Sequence, residues 1–209
     1  KEPMEVAPTA HHMMGGLRIT TECRTTLSGL FACGEAAGGV HGANRLGGNA
    51  LAETQVYGKR AGEYAGRSET RIKKIDPEQI KRQEQRLDAF LKGDVNPAHA
   101  ARELQQAMWN GAGIFRTADA LNATLATVTR ISGLPLRAGS ARNLAECCTV
   151  QNMCLTASLV CRAALLRPES RGAHVRKDIS QDWDAQHSPF SHTFLSQAGE
   201  GIGKKVMPS

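Results

Sequence analysis

Aromatic residues are scarce in this chain, 4% of 209 residues, with two Trp, two Tyr and five Phe. That excludes an interior of stacked rings and leaves Leu, Ala, Ile, Val, Met and Cys to fill the core. Val/Ile-rich runs are also few while Ala and Leu are frequent, which argues for a helical majority. No C-x-x-C pair occurs among the six cysteines, and Cys147, Cys154 and Cys161 recur every seven residues in a helical stretch. Two helical turns separate each from the next, too far to share one metal, so core thiols are expected, no metal site, and a reducing compartment. No apolar run approaches the ~20 residues of a membrane span, and there is no signal peptide, so no direct membrane span is expected. Charge of one sign is never blocked. The formal charge is +6, but the densest basic stretch, Arg67 to Arg86, is interleaved with Glu69, Asp76, Glu78 and Glu84. Tracking of nucleic-acid phosphates favours a one-signed stripe, so nucleic acid is not an expected partner. An initiator Met is missing too: Lys1 leads straight into dense motif sequence, and the chain reads as a piece of something longer.

What is present falls into two regions. The hydrophobic share of 41% and charged share of 22% are ordinary for a globular protein. Residues 1–66 are rich in glycine and turn residues. Leu17–Ile19 and Leu30–Cys33 read there as short strands, the second buried, and a helix is expected from Asn49 to Ala65 with Leu51, Val56 and Ala61 packed on a sheet. A charged connector, 67–75, leads to residues 76–167, which read as four consecutive helices. Asp76-Pro77 and Asn96-Pro97 each offer an N-cap side chain followed by proline at the first helical position. The first helix carries Ile80, Leu87 and Leu91 on one face beside Phe90; the second carries Ala101, Leu104 and Met108. The third, Thr117 to Ser132, carries Ala118, Leu121, Leu125 and Val128 and stops at Gly133. The fourth, Ala141 to Leu166, is apolar on more than one face and is expected at the centre, ended by Pro168. The fold class expected is mainly α, an antiparallel helical bundle of the spectrin-repeat kind behind a smaller α/β segment. Residues 168–209 turn irregular, with His192–Ser196 and Lys204–Met207 as a candidate hairpin.

The chemistry concentrates between Gly34 and Leu51. A strand ends at Cys33, Gly34-Glu35 follows, a glycine-rich loop crosses over, and a helix begins. The N-terminus of a helix presents unpaired N–H groups, and glycines let a ligand touch the backbone. A carboxylate such as Glu35 at this point can accept hydrogen bonds from ligand hydroxyls. Loops of this kind also serve simply as turns. Taken singly, His11 beside His12 fits a surface pair, and Arg45 fits a solvated charge.

Three blocks, however, stand in one order. They are Pro8-Thr9-Ala10-His11-His12-Met13-Met14-Gly15-Gly16, then Glu35 with Val40-His41-Gly42-Ala43-Asn44-Arg45-Leu46-Gly47-Gly48-Asn49-Ala50-Leu51-Ala52-Glu53, then Glu169-Ser170-Arg171-Gly172-Ala173-His174-Val175-Arg176-Lys177-Asp178. Together they resemble the succinate dehydrogenase/fumarate reductase flavoproteins, with L-aspartate oxidase as a near relative. Met108-Trp109 and Gly113-Ile114-Phe115-Arg116 look like landmarks of that family's helical C-terminal domain, and the resemblance fades after Trp183.

The resemblance implies that residues 1–66 are the last segment of an FAD-binding domain. It implies FAD contacts at Glu35 (ribose hydroxyls) and at Asn49, Ala50 and Leu51 beside the flavin pyrimidine edge. Ala50 stands where the family usually has Ser. It assigns His11 and Arg45 to a dicarboxylate substrate, which a planar guanidinium fork and a further donor would suit. His41 reads as a loop-ordering residue. Arg171, His174 and Arg176 read as structural groups tying the tail to the flavin domain. The family's G-x-G-x-x-G block, flavin-linking histidine and proton-donating arginine belong upstream, so no catalytic residue and no bound FAD is expected in these 209 residues alone. An iron–sulfur subunit is the implied electron partner, with a membrane anchor beyond it, and the implied location is cytoplasmic or peripheral on the inner membrane face. Leu46-Gly47-Gly48-Asn49-Ala50 sits closer to the reductase/dehydrogenase pattern than to the Met-Ala-Ser-Asn-Ser common in aspartate oxidases.

Overall fold

The computed structural model describes residues 4, 10–68 and 75–179, and the backbone of two further strands at 191–195 and 202–206. Pro8 and Thr9, most of the 67–75 connector and Trp183 lie outside the described residues. The chain divides into two compact units, residues 1–73 and 74–209.

In the first unit, strand β1 (Leu17–Arg18) pairs in parallel with β2 (Ala37–Gly38), Leu17 opposite Ala37 and Arg18 opposite Gly38. The expected strand Leu30–Cys33 is reduced to one antiparallel bridge, Phe31 to Arg24, and Leu30 is exposed. The reason is local: Gly29 (φ 82°) and Gly34 (φ 65°) bend the backbone into the left-handed region at both ends of the run. Gly34–Ala36 is a 3₁₀ turn, so Glu35 sits on a turn rather than directly on a strand end. Helix α1 (Asn49–Gly66) starts where expected and runs one residue further than Ala65. Its inner face differs, because Glu53 and Ala61 are buried and Leu51 and Val56 are exposed. Residues 53, 57 and 61 follow the four-residue spacing that selects one helix face, and positions 51 and 56 fall off it.

The second unit opens with α2 (Pro77–Leu91) and α3 (Pro97–Ala112), each with proline in the first turn. Asp76 accepts from Glu78 N–H at 3.0 Å, and Asn96 accepts from Ala98 N–H at 2.8 Å. Helix α4 (Ala118–Ser132) is capped by Thr117, and α5 (Ala141–Leu165) by Ser140. Helices α3 and α4 run antiparallel: Gly111 meets Ala120 and Thr124, Thr124 Oγ1 reaches Ala107 O, and Glu103 pairs with Arg130. A Cβ at Gly111 would lie 1.9 Å from Thr124 Oγ1, so the crossing requires glycine. Leu104, Val128, Ile131, Cys147, Val150 and Cys154 pack one cluster with Phe90; Leu121, Cys161 and Ala164 pack a second, and Met108 packs against both.

The three cysteines at seven-residue spacing are thus core residues, and burial pushes their thiols up. All six cysteines are free, and no group of metal-binding side chains occurs among the described residues. Helix α5 has the length and composition to cross a membrane, contrary to the expectation that no stretch comes near, but one of its faces is committed to this core. Helix α2 also departs from expectation. Ile80, Leu87 and Leu91 are exposed, and only Phe90 enters the core, helped by Arg86 Nε donating to Gln151 Oε1 at 2.7 Å.

After α5 the chain returns to the bundle. Strand β4 (Val175–Arg176) pairs in parallel with β3 (Phe115–Arg116). The late hairpin is present as antiparallel strands β5 (Ser191–Leu195) and β6 (Ile202–Val206), within two residues of the expected bounds.

Candidate functional site

The end of the first sequence block touches the stretch just after Glu35 through the backbone. A Cβ at Gly16 would lie 2.5 Å from Ala36 O, and one at Gly38 would lie 2.7 Å from Gly16 N, so the β1–β2 approach needs glycine on both sides. Helix α1 begins at an N-cap, Gly48, whose φ of 83° also favours glycine. Gly48 offers no side-chain oxygen to the N–H groups of Ala50 and Leu51. Those donors, with the positive end of the helix, suit a carbonyl-rich or anionic ligand edge.

Around this frame the polar side chains cluster. Glu35 Oε1 accepts from Met13 N–H at 2.8 Å, and its Oε2 lies 3.8 Å from His12 Nδ1. The His12 ring stands edge-on to His41, centroids 5.2 Å apart. His41 Nε2 and Arg45 Nε are buried with no hydrogen-bond partner. Behind them Glu53 Oε1 accepts from Gly34 N–H at 3.0 Å, while its Oε2 is buried and unpartnered. The structure therefore joins the segment carrying His11 to Glu35, and joins the loop carrying Arg45 to the same place through His41 and His12. His11 itself is exposed, as are Asn49 and Leu51. Sequence reasoning assigned no role to His12 or Glu53. The signals were there: His12 adjoins His11 inside the first block, and Glu53 follows Asn49 by four residues, the spacing of one helix face.

The third block forms a separate cluster inside the helical unit. Arg116 Nη1 lies 2.9 Å from His174 Nδ1, and His174 Nε2 lies 3.1 Å from Arg167 O. A guanidinium only donates and a carbonyl only accepts, which makes His174 neutral with its proton on Nε2. Burial holds the His174 pKa below its usual value; the Arg167 carbonyl works against that, and Arg116, Arg176 and Arg167 add to the lowering. Burial likewise lowers Arg116. Arg176 donates to Ala164 O and Arg167 O at the end of α5 and forks onto Asp178 with two bonds of 2.9 Å. Asp178 Oδ2 in turn accepts from Ala118 N–H at 2.7 Å, the first turn of α4. The Arg176 fork and this N–H hold the Asp178 carboxyl well below the usual range. The bonds of His174 and Arg176 run to Arg116 of β3, to the end of α5 and, through Asp178, to the start of α4, all within the helical unit.

The FAD binding domain family matches residues 1–51, and the family described as fumarate reductase flavoprotein C-term matches residues 101–203. The chain is 46% identical over 192 residues to a fumarate reductase (CoM/CoB) chain of Methanothermobacter marburgensis, covering 86% of this chain and 34% of that protein. It is 35% identical over 192 residues to the L-aspartate oxidase of Streptomyces coelicolor, covering 85% and 32%. Among solved structures, a quinol–fumarate reductase with menaquinol molecules superposes with a TM-score of 0.84 at 32% identity, over 99% of this chain and 38% of that one. The chain belongs to the fumarate reductase/succinate dehydrogenase flavoprotein family, and it spans about a third of the length of the curated relatives it matches.

Proposed function

We propose that these residues form the C-terminal part of an FAD-dependent oxidoreductase that interconverts fumarate and succinate and exchanges electrons with an iron–sulfur subunit on the cytoplasmic side of a membrane. The observation that carries this reading is Arg45. Its guanidinium is half-buried in the glycine loop, and its Nε is buried without a partner. A buried donor left unpaired is costly, and a carboxylate of the substrate would satisfy it. His11 would hold the same dicarboxylate from the neighbouring block. Residues 1–66 would close the FAD-binding domain, with Glu35 taking ribose hydroxyls and Asn49, together with the N–H groups of Ala50 and Leu51, facing the flavin edge. The uncapped start of α1 fits that assignment. FAD, when bound, supplies the hydride-exchanging centre. The protein's own part is to pin the dicarboxylate at a fixed angle and to neutralise the charge that builds on it. Residues 76–167 would be the helical domain and 168–209 its returning tail. The 209 residues alone should neither hold FAD stoichiometrically nor turn over fumarate.

The test is Arg45→Lys in the full-length protein. Lysine keeps the charge and loses the fork, which places the loss at the lower end of the about 2–5 kcal/mol for breaking a buried charged contact. The fumarate kcat/KM should fall at least roughly thirtyfold with FAD content and Tm unchanged. Wild-type kcat/KM in the variant, or loss only through shed FAD, would show that Arg45 is not a substrate clamp. Similarity to the aspartate oxidases keeps L-aspartate in the same assay, and faster turnover of aspartate than of succinate would reassign the substrate.

A further inference from the structure

We infer that Glu35 is a positioning residue for the substrate-side histidine, acting through the His12-Met13 segment, and so couples cofactor loading to substrate binding. This rests on the functional reading above, in which His11 holds substrate and Glu35 contacts FAD, and extends it to a second job for the same carboxylate.

The geometry is that of a carboxylate already half engaged. Oε1 takes the Met13 N–H at 2.8 Å, two residues after His11. Oε2 faces His12 Nδ1 at 3.8 Å, and the His12 side chain is 9% exposed while that of Glu35 is 55% exposed. The buried partner is thus on the His11 side, and the open side of the carboxylate is left for a ligand. An ionised carboxylate has about four lone-pair sites, so the Met13 N–H leaves room for hydroxyl donors. Glu35 is itself held from behind, because the buried Glu53 on α1 accepts the N–H of Gly34 at 3.0 Å. The β1–β2 pairing fixes the segment beyond Met13 by backbone bonds, with Leu17 opposite Ala37. Upstream of that pairing, among the described residues, Glu35 is the side chain that takes a hydrogen bond from the stretch that carries His11. If it swings, His11 is released on that side.

Two variants separate this from a cofactor-only role. Glu35→Asp keeps the charge but is one methylene too short to keep the Met13 bond. His12→Phe removes the facing imidazole, keeps a ring against His41, and leaves every residue assigned to the cofactor unsubstituted. In the full-length flavoprotein, Glu35→Asp should raise KM for fumarate roughly tenfold, the scale of one lost hydrogen bond to a charged group. His12→Phe should raise it about threefold, the scale of a weaker polar contact. In His12→Phe, kcat at saturation should stay within about twofold, because an orienting contact outside the reacting atoms is recovered by excess substrate. Flavin per chain should be unchanged in His12→Phe. In the 209-residue chain, amide hydrogen exchange at Met13 should accelerate in Glu35→Asp, a readout that needs neither flavin nor substrate. Unchanged KM in His12→Phe together with unchanged Met13 exchange in Glu35→Asp overturns the inference. So does a Glu35→Asp enzyme that sheds flavin while its loaded fraction keeps the wild-type KM. A wild-type full-length protein that carries no flavin or does not reduce fumarate overturns the functional reading instead, whatever the variants do.

Discussion

The two units spend their apolar residues differently. In the helical unit Leu104, Leu121, Val128, Ile131 and Val150 are fully buried along α3, α4 and α5, and each of the four helices from α2 to α5 begins at a side-chain cap. In the glycine-rich unit the buried positions are small or polar (Cys23, Ala32, Ala37, Glu53 and Ala61), while Leu17, Leu27, Leu46, Leu51 and Val56 are exposed. Among the described residues, the buried donors and acceptors without partners, His41 Nε2, Arg45 Nε and Glu53 Oε2, all lie in that unit. A packed core fixes one conformation, whereas a frame of glycines with unsatisfied polar groups is shaped for contact with something else. Stability should therefore reside in the helical unit and binding chemistry in the other.

The sharpest way to break this comparison is Leu104→Ala. Leu104 is 1% exposed at the centre of the larger cluster, and removing it should cost about 2–5 kcal/mol. Urea unfolding of the 209-residue chain, followed by helical circular dichroism, measures it. A loss below about 1 kcal/mol would mean that the helical unit does not carry the stability.

A smaller effect should come from acid. The folded-state pKa of His174 lies below its unfolded value of 6.5, so the unfolded chain takes up the proton first. Its contribution is fully present above the unfolded value and is lost as pH falls from there toward the depressed folded value. Asp178 adds a second loss of the same sign at lower pH, starting below its ordinary value of 3.8. Protonated His174 would face Arg116, Arg176 and Arg167 and could no longer accept from Arg116. Unfolding free energies between about pH 7.5 and about pH 5 should decline in the wild type and decline less in His174→Gln. Identical slopes would show that His174 titrates alike in both states.

The smallest effect should be at Leu51→Ala, since this side chain is 77% exposed in the first turn of α1. Stability of the 209-residue chain should change by less than about 0.5 kcal/mol. In the full-length flavoprotein the same change is where a packing contact with cofactor or chain would register, as lost flavin. A large loss of stability in the isolated chain would show that the first unit has more core than its burial pattern indicates.

Much of this was legible without coordinates, and what was legible is local. Helix starts at Asp76, Asn96 and Thr117 follow from cap side chains two or three residues from the N–H groups they satisfy. The Cys147–Cys154–Cys161 face follows from helical period alone. The blocks around His11, Glu35 and Arg45 carry the family. Tertiary structure decided the rest, because partners far apart in sequence leave no local trace. It turned the Ile80–Leu87–Leu91 face of α2 outward, reduced Leu30–Cys33 to a single bridge, and sent Arg176 to the end of α5 and Asp178 to the start of α4. It also set Glu35 against Met13, 22 residues away, and buried Glu53 beneath Gly34. A spacing of three or four residues can be read from a sequence; a hydrogen bond across 22 exists only once the backbone between has closed.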